Sequence, residues 1–228
     1  TQRMIYTIDH YEDILRRISC AAVAAGRNAQ DVELLAVSKH QSVNAIRQLA
    51  GYGQRSFGEN YLQEAESKII ELAELSLQWH FIGQLQSNKT RVVARLFDWV
   101  HSVDRFKIAQ RLDAQRPEAA PPLNICVEVN ISGETSKGGI APTEVPDFIA
   151  ALASFRRLRV RGLMALPSPA ATITAQRRSF QRLSEVLVAL KQPQLSCLSM
   201  GTSADFEAAI AAGSTVVRIG TALFGPRD

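Results

Sequence analysis

The sequence predicts an α/β protein of the (β/α)8 TIM barrel class with an extra N-terminal helix. Eight short apolar runs alternate with helix-periodic segments along the 228 residues, the rhythm of parallel strands joined by crossover helices. One helical segment precedes the first run, and no linker divides the chain, so residues 1–228 read as one domain. No glycine-rich dinucleotide fingerprint follows the first strand. That counts against an open doubly wound sheet, the alternative that periodicity by itself leaves open.

Ile14, Leu15, Ile18, Ala21, Ala22 and Ala25 recur at helical spacing over residues 9–25, which end at Gly26. Residues 33–38 form the first strand, and residues 43–50 a short helix closed by Gly51. Residues 54–58 are the second strand, ending in Phe57-Gly58-Glu59-Asn60. A helix over residues 61–75 follows, with Leu62, Ala65, Ile69 and Leu72 on one face. The third strand, 79–82, stops at Gly83, and Ser87 is placed to cap a helix through residue 96. Residues 99–103 and 104–115 are the fourth strand and its helix, and 117–122 a loop. The longest strand candidate, 123–131, runs into the loop 132–139, with a helix over 142–154. Residues 160–166 make the sixth strand, before Pro167 and Pro169; the helix 174–191 turns Phe180, Leu183, Val186, Leu187 and Leu190 inward. Residues 195–199 are the seventh strand, 203–212 a helix stopped by Gly213, and 215–219 the eighth strand, leading into Gly220-Thr221.

Composition removes several function classes. Hydrophobic residues at 46% and charged residues at 21% describe an ordinary globular chain. The net charge of +4 suits a small anionic ligand. No basic run or aromatic-interleaved patch accompanies it, so no nucleic-acid partner is expected. Cys20, Cys126 and Cys197 are odd in number and far apart, which indicates neither a disulfide framework nor a zinc site. No signal peptide and no run of about 18 apolar residues is present, so no membrane association and a cytoplasmic location are expected.

The first strand runs Leu34-Leu35-Ala36-Val37-Ser38 straight into Lys39. A lysine there either snorkels into solvent or, with its ammonium partly desolvated, is prepared to form a Schiff base. In a barrel of this class the active face gathers the residues that follow each strand. These are Lys39, Glu59-Asn60, Gly83-Gln84, 102–104, Asn130 with 132–139, Met164-Ala165, Gly201-Thr202-Ser203 and Gly220-Thr221. Gly201-Thr202-Ser203 and Gly220-Thr221 each precede a helix and offer free backbone N–H groups with a hydroxyl, a suitable cradle for phosphate. The plainer reading of residues 202–205 is a capping box. Arg218, near the end of the eighth strand, either points into the barrel, where it needs a ligand or carboxylate, or sits outward among the helices. Glu59 reads as an acceptor for neighbouring backbone.

Leu35-Ala36-Val37-Ser38-Lys39, Phe57-Gly58-Glu59-Asn60-Tyr61, Trp79-His80-Phe81-Ile82-Gly83, Leu85-Gln86-Ser87-Asn88-Lys89, Arg161-Gly162-Leu163-Met164 and Val217-Arg218-Ile219-Gly220-Thr221 run in order from about residue 33 to the end. Together they resemble the pyridoxal phosphate homeostasis protein family. The resemblance implies a barrel similar to the N-terminal domain of alanine racemase, binding pyridoxal 5′-phosphate. Lys39 would carry the cofactor as a Schiff base, Ser203, Gly220 and Thr221 would hold its phosphate, and Arg218 would face the pyridine nitrogen. Asn60 would lie near the ring, with Met164 among its packing neighbours, and Lys137 would offer a second amine near the mouth. Thr202 departs from the methionine many relatives carry there, and Gln84 replaces a more usual proline or histidine.

The resemblance implies a non-catalytic carrier that acts in pyridoxal phosphate homeostasis, by buffering and delivery. Pyridoxal phosphate chemistry runs best with a carboxylate at the ring nitrogen; an arginine there weakens the electron sink, although alanine racemases work with one. Two-sided racemisation also needs a second base, and of Tyr6, Tyr11, Tyr52 and Tyr61 only Tyr61 falls near a strand end. The chain closes at Asp228, soon after the eighth strand, and an open mouth without a lid does not exclude water. The alternative is a pyridoxal-phosphate-dependent amino-acid racemase. A third class is a barrel for another phosphorylated metabolite, with Lys39 as a non-covalent contact. Expected partners are the cofactor and apo-enzymes that use it. No apolar helix face calls for an obligate second subunit, so a monomer is expected.

Overall fold

The computed structural model describes residues 2–168 and 172–225, with side chains from residue 8 onward; Pro169 and Asp228 lie outside the described residues. The chain runs α1 (Gln2–Ala24), β1 (Glu33–Val37), α2 (Val43–Gly51), β2 (Ser56–Glu59), α3 (Leu62–Glu71), β3 (Gln78–Phe81), α4 (Thr90–Leu96), β4 (Trp99–Val103), α5 (Phe106–Gln115), β5 (Leu123–Glu128), α6 (Val145–Leu152), β6 (Leu158–Met164), α7 (Ile173–Ala189), β7 (Cys197–Thr202), α8 (Phe206–Ala211), β8 (Val216–Ile219) and α9 (Thr221–Phe224). The strands pair in sequence order, all parallel, and β8 closes on β1 with Leu35 opposite Arg218. This is a (β/α)8 barrel, as the alternation of runs predicts.

One apolar layer lies between sheet and helices. It holds Ala36, Phe57, Val100, Leu163 and Val217 from the strands and Ile46, Leu112, Phe180 and Ile210 from the helices. A smaller cluster of Leu35, Val37, Ile82, Cys126, Met164, Cys197 and Val216 fills the barrel interior. The interior is unusually polar, since His80, His101, Ser199, Arg218 and Glu128 are also buried on the strands. Its fit is tight at Gly162, where a Cβ would stand 1.9 Å from the Cys197 carbonyl oxygen. Helix α1 joins the outer ring against α2, α8 and α9, with Arg17 Nε donating to Glu207 at 2.8 Å. No helix among the described residues is long and apolar enough to cross a membrane.

The observed bounds correct the sequence expectations at particular places. Helix α1 begins at Gln2 rather than residue 9, because no glycine or proline interrupts residues 2–8. Strand β5 ends at Glu128 rather than residue 131. Gly139, at φ +101, turns the following loop back, so that Asn130 N donates to Ile140 O and Ile140 N to Glu128 O, both at 2.9 Å. Strand β6 covers Leu158–Met164, two residues earlier than read, because its ladder starts at Leu158 opposite Leu123. Strand β7 runs through Thr202, and α8 starts at Phe206 instead of 203. Ser87 does not cap α4: a 3-10 turn over Ser87–Lys89 comes first, and the Ser87 carbonyl accepts from Thr90 Oγ1 at 2.9 Å.

Candidate functional site

Lys39 stands two residues beyond the buried end of β1, and both its neighbours are pinned. Lys68, on α3 and only 4% exposed, donates from Nζ to the Ser38 carbonyl at 2.7 Å and to Glu59 Oε1 at 2.9 Å. Ser38 Oγ donates to the same Glu59 oxygen, and His40, held at φ +62, donates its N–H to Glu64 Oε1 at 2.6 Å. Glu64 also pairs with Lys68. One buried charge cluster therefore sets the backbone on either side of Lys39. Burial pushes the Glu59 carboxyl up, while the Ser38 hydroxyl and Lys68 hold it down. Glu59 is thus an acceptor for side chains, not for backbone as the sequence suggested. Lys68 was invisible in sequence, where it reads as one more polar residue on an amphipathic helix.

A cavity of about 310 Å³ opens at the C-terminal ends of the strands. Lys39, Asn60, Ser203, Arg218, Gly220 and Thr221 all line it, from four different strand ends. Met164 does not appear in its wall; it packs in the interior cluster with Val37 and Ile82, which do line it. Ser203 is not a helix cap: Ala222 N, in α9, donates to its hydroxyl at 3.3 Å. Thr202 gives its N–H and hydroxyl to Asp205 Oδ1, at 2.6 and 3.0 Å. The Thr202 donors of the expected cradle are therefore taken by Asp205, while the Ser203 hydroxyl keeps its proton to give. The Asn60 Oδ1 atom is buried without a partner.

Arg218 points into the barrel. Its Nη1 donates to Ser199 Oγ at 2.7 Å and its Nη2 to the Ala165 carbonyl at 3.0 Å. Burial lowers it to about 10, with Asp205 and Glu128 opposing, so it remains a cation at neutral pH. Beyond it, Gln78 Oε1 against His80 Nε2 sets the direction of the hydrogen bonds, because both imidazoles are neutral and each has one N–H. Ser199 accepts from Arg218 and has its one proton for His101 Nδ1 at 2.7 Å. His101 then carries its proton on Nε2, donating to His80 Nδ1 at 2.9 Å, and His80 Nε2 donates to Gln78 Oε1 at 3.1 Å. Burial holds both imidazoles neutral, His80 down to about 3 and His101 well below its ordinary value. Trp99 stacks on His80 at 5.3 Å.

Beside this cavity lies a second one of about 270 Å³, lined by Gln84, Ser102, Glu128, Asn130 and Lys137 and sharing Asn60 with the first. Burial, then Asp104, raises Glu128 to about 7. Lys137 Nζ is occupied by the Leu166 carbonyl at 3.2 Å and Ser168 Oγ at 3.0 Å. Gln84, one of the strand-end residues read from sequence, is in this wall. Ser199, His101 and Glu128 were missed in sequence. Period-two stepping was the available signal: Trp99 and His101 share one face of β4, as Cys197, Ser199 and Gly201 do on β7. Among the described residues no group of three or more His, Cys, Asp or Glu is arranged for a metal ion.

Residues 16–228 match the family model of the alanine racemase N-terminal domain. A pyridoxal phosphate homeostasis protein of Pseudomonas aeruginosa is 57% identical over 215 residues, 94% of this chain and 93% of that protein. Its namesake in Escherichia coli K12 is 50% identical over 217 residues, 93% of each. Among solved structures, PipY of Synechococcus elongatus PCC7942 with PLP bound gives a TM-score of 0.78 at 38% identity, covering 86% of this chain and 93% of that one.

Proposed function

The chain belongs to the pyridoxal phosphate homeostasis protein family, and from that premise we propose that it binds pyridoxal 5′-phosphate and holds it for buffering and delivery inside the cell rather than for turnover. One observation carries this reading. A lysine, a buried arginine and a hydroxyl-bearing turn meet in a single 310 Å³ cavity. The residues suit the group. Ser203, Gly220 and Thr221 offer hydroxyl and backbone donors to a phosphate dianion, and Arg218 offers N–H donors to a pyridine nitrogen. The orphaned Asn60 Oδ1 needs a donor that the described residues do not supply.

When bound, the cofactor supplies an aldehyde that condenses reversibly with a primary amine. Lys39 Nζ is that amine, presented on a backbone that the Lys68 cluster keeps still. Ser203 and Thr221 bind, Arg218 orients, and Met164 backs Val37 and Ile82 of the cavity wall. Arg218 stays a donor, because a pKa of about 10 keeps it protonated at neutral pH. As a cationic donor, Arg218 would favour an unprotonated nitrogen on a pyridine ring held against it, which would suit storage better than carbanion chemistry. Residues 1–228 form one cytoplasmic, monomeric barrel domain in this reading, and its partners are apo-enzymes that take up the cofactor.

Purified chain should be yellow, and borohydride followed by peptide mass spectrometry should fix the cofactor on Lys39. A stable chromophore in Lys39→Ala, or no imine in the wild type, overturns the reading. An amino-acid racemase is the second reading, favoured by the match to the racemase domain. Its second base would have to come from a group such as Tyr61, which is 51% exposed and packs on the His40 ring at 5.3 Å. Turnover of about 1 s⁻¹ or more on an amino-acid panel would establish it.

A further inference from the structure

The second cavity is short of hydrogen-bond donors. Glu128 lines it, is more than nine-tenths buried at 8% exposure, and receives no hydrogen bond or ion pair among the described residues. The cations around it are committed elsewhere. Arg218 donates to Ser199 and the Ala165 carbonyl, Arg105 to Asp104 and the Leu85 carbonyl, and Lys137 to the Leu166 carbonyl and Ser168. Asp104 is satisfied by Arg105 on one oxygen and by Gly139 N, at 3.2 Å, on the other. Asn60 Oδ1, on the shared wall, is a buried acceptor without a donor among the described residues.

These groups face one space. A Cβ at Gly138 would stand 3.4 Å from Asp104 Oδ2 and 3.5 Å from both Gln84 Nε2 and Glu128 Oε1. The bare glycine keeps that point open. Buried acceptors left without donors destabilise a fold unless something else satisfies them. The missing partner must bring positive charge and several N–H groups at one end, which is what a primary ammonium does. A space of 270 Å³ admits a molecule of amino-acid size and little more.

We propose that this second cavity binds the ammonium group of a small primary amine of amino-acid size, with Glu128 as counter-ion and Asn60 Oδ1 as a further acceptor. The proposal rests on the reading of the barrel as an aldehyde holder and deepens it. The two cavities share Asn60, Ile82 and Leu166, so the amine sits beside Lys39, the amine it would compete with. Release of the cofactor would then respond to free amino-acid supply.

Isothermal titration calorimetry on the full chain stripped of cofactor tests the site, using L-alanine, ethylamine and N-acetyl-L-alanine at pH 8. The two amines should bind with a Kd on the order of 10 mM or tighter, and the acetylated compound should not bind. Glu128→Gln should weaken the amines at least tenfold. Gly138→Ala, whose Cβ fills the convergence point, should do the same and serves if the first variant does not fold. Equal binding of N-acetyl-L-alanine, unchanged binding in a folded variant, or no heat from either amine overturns the proposal. Because no cofactor is present, failure of Lys39 to hold pyridoxal phosphate would show separately, in the borohydride experiment.

Discussion

Glu128 should be a source of instability that the fold tolerates, and Glu128→Gln tests this directly. The carboxyl is raised from 4.5 to about 7, first by burial and then by Asp104, against the pull of Arg218 and Arg105. A carboxyl that holds its proton more tightly when folded makes the protein lose stability as pH rises from the unfolded value toward the folded one. The window is therefore pH 4.5 to about 7. At about 1.4 kcal/mol per tenfold change in proton affinity, the loss reaches about 3 kcal/mol above pH 7. Glutamine keeps the shape and removes the charge. Glu128→Gln should match the wild type near pH 4.5 and exceed it by about 3 kcal/mol at pH 8, a rise in Tm of roughly 6 °C or more. Urea and thermal unfolding at both pH values read this out. Equal differences at both, or a variant less stable at pH 8, would refute the assignment of Glu128 as an uncompensated buried charge.

Other expectations follow from the same geometry. Lys68→Met leaves Glu59 buried without its cation, at a cost of about 3–5 kcal/mol; adding Glu59→Gln should recover much of it in urea melts. His80 and His101 should both show the Nε2-protonated neutral tautomer by nitrogen-15 NMR, with no titration between about pH 5 and 8; movement of either in that range contradicts the directed chain from Arg218. Gly162→Ala should destabilise the barrel by several kcal/mol or prevent folding, because its Cβ would stand 1.9 Å from the Cys197 carbonyl oxygen; a wild-type Tm would contradict that packing.

The sequence by itself determined the barrel and most of one cavity. Alternating apolar runs carry the strand count, and residues directly after strands must gather at one face, so Lys39, Asn60, Ser203, Arg218, Gly220 and Thr221 were legible without coordinates. Local pattern could not say where strands stop. The backbone of residues 129–130 is satisfied by a loop that Gly139 turns back, a long-range pairing with no local signature. It could not say which way Arg218 points, since a strand-end arginine is acceptable on either face until its partners are known. Nor could it see the donors and acceptors that meet only when β3, β4, β7 and β8 close into one barrel: Gln78, His80, His101, Ser199 and Arg218 are scattered along the chain. The tertiary structure alone decided the burial that keeps those histidines neutral, ties Lys68 under Lys39 and leaves Glu128 without a hydrogen-bond partner among the described residues. Burial and closure are properties of the packed whole, and a residue's own neighbours in sequence do not contain them.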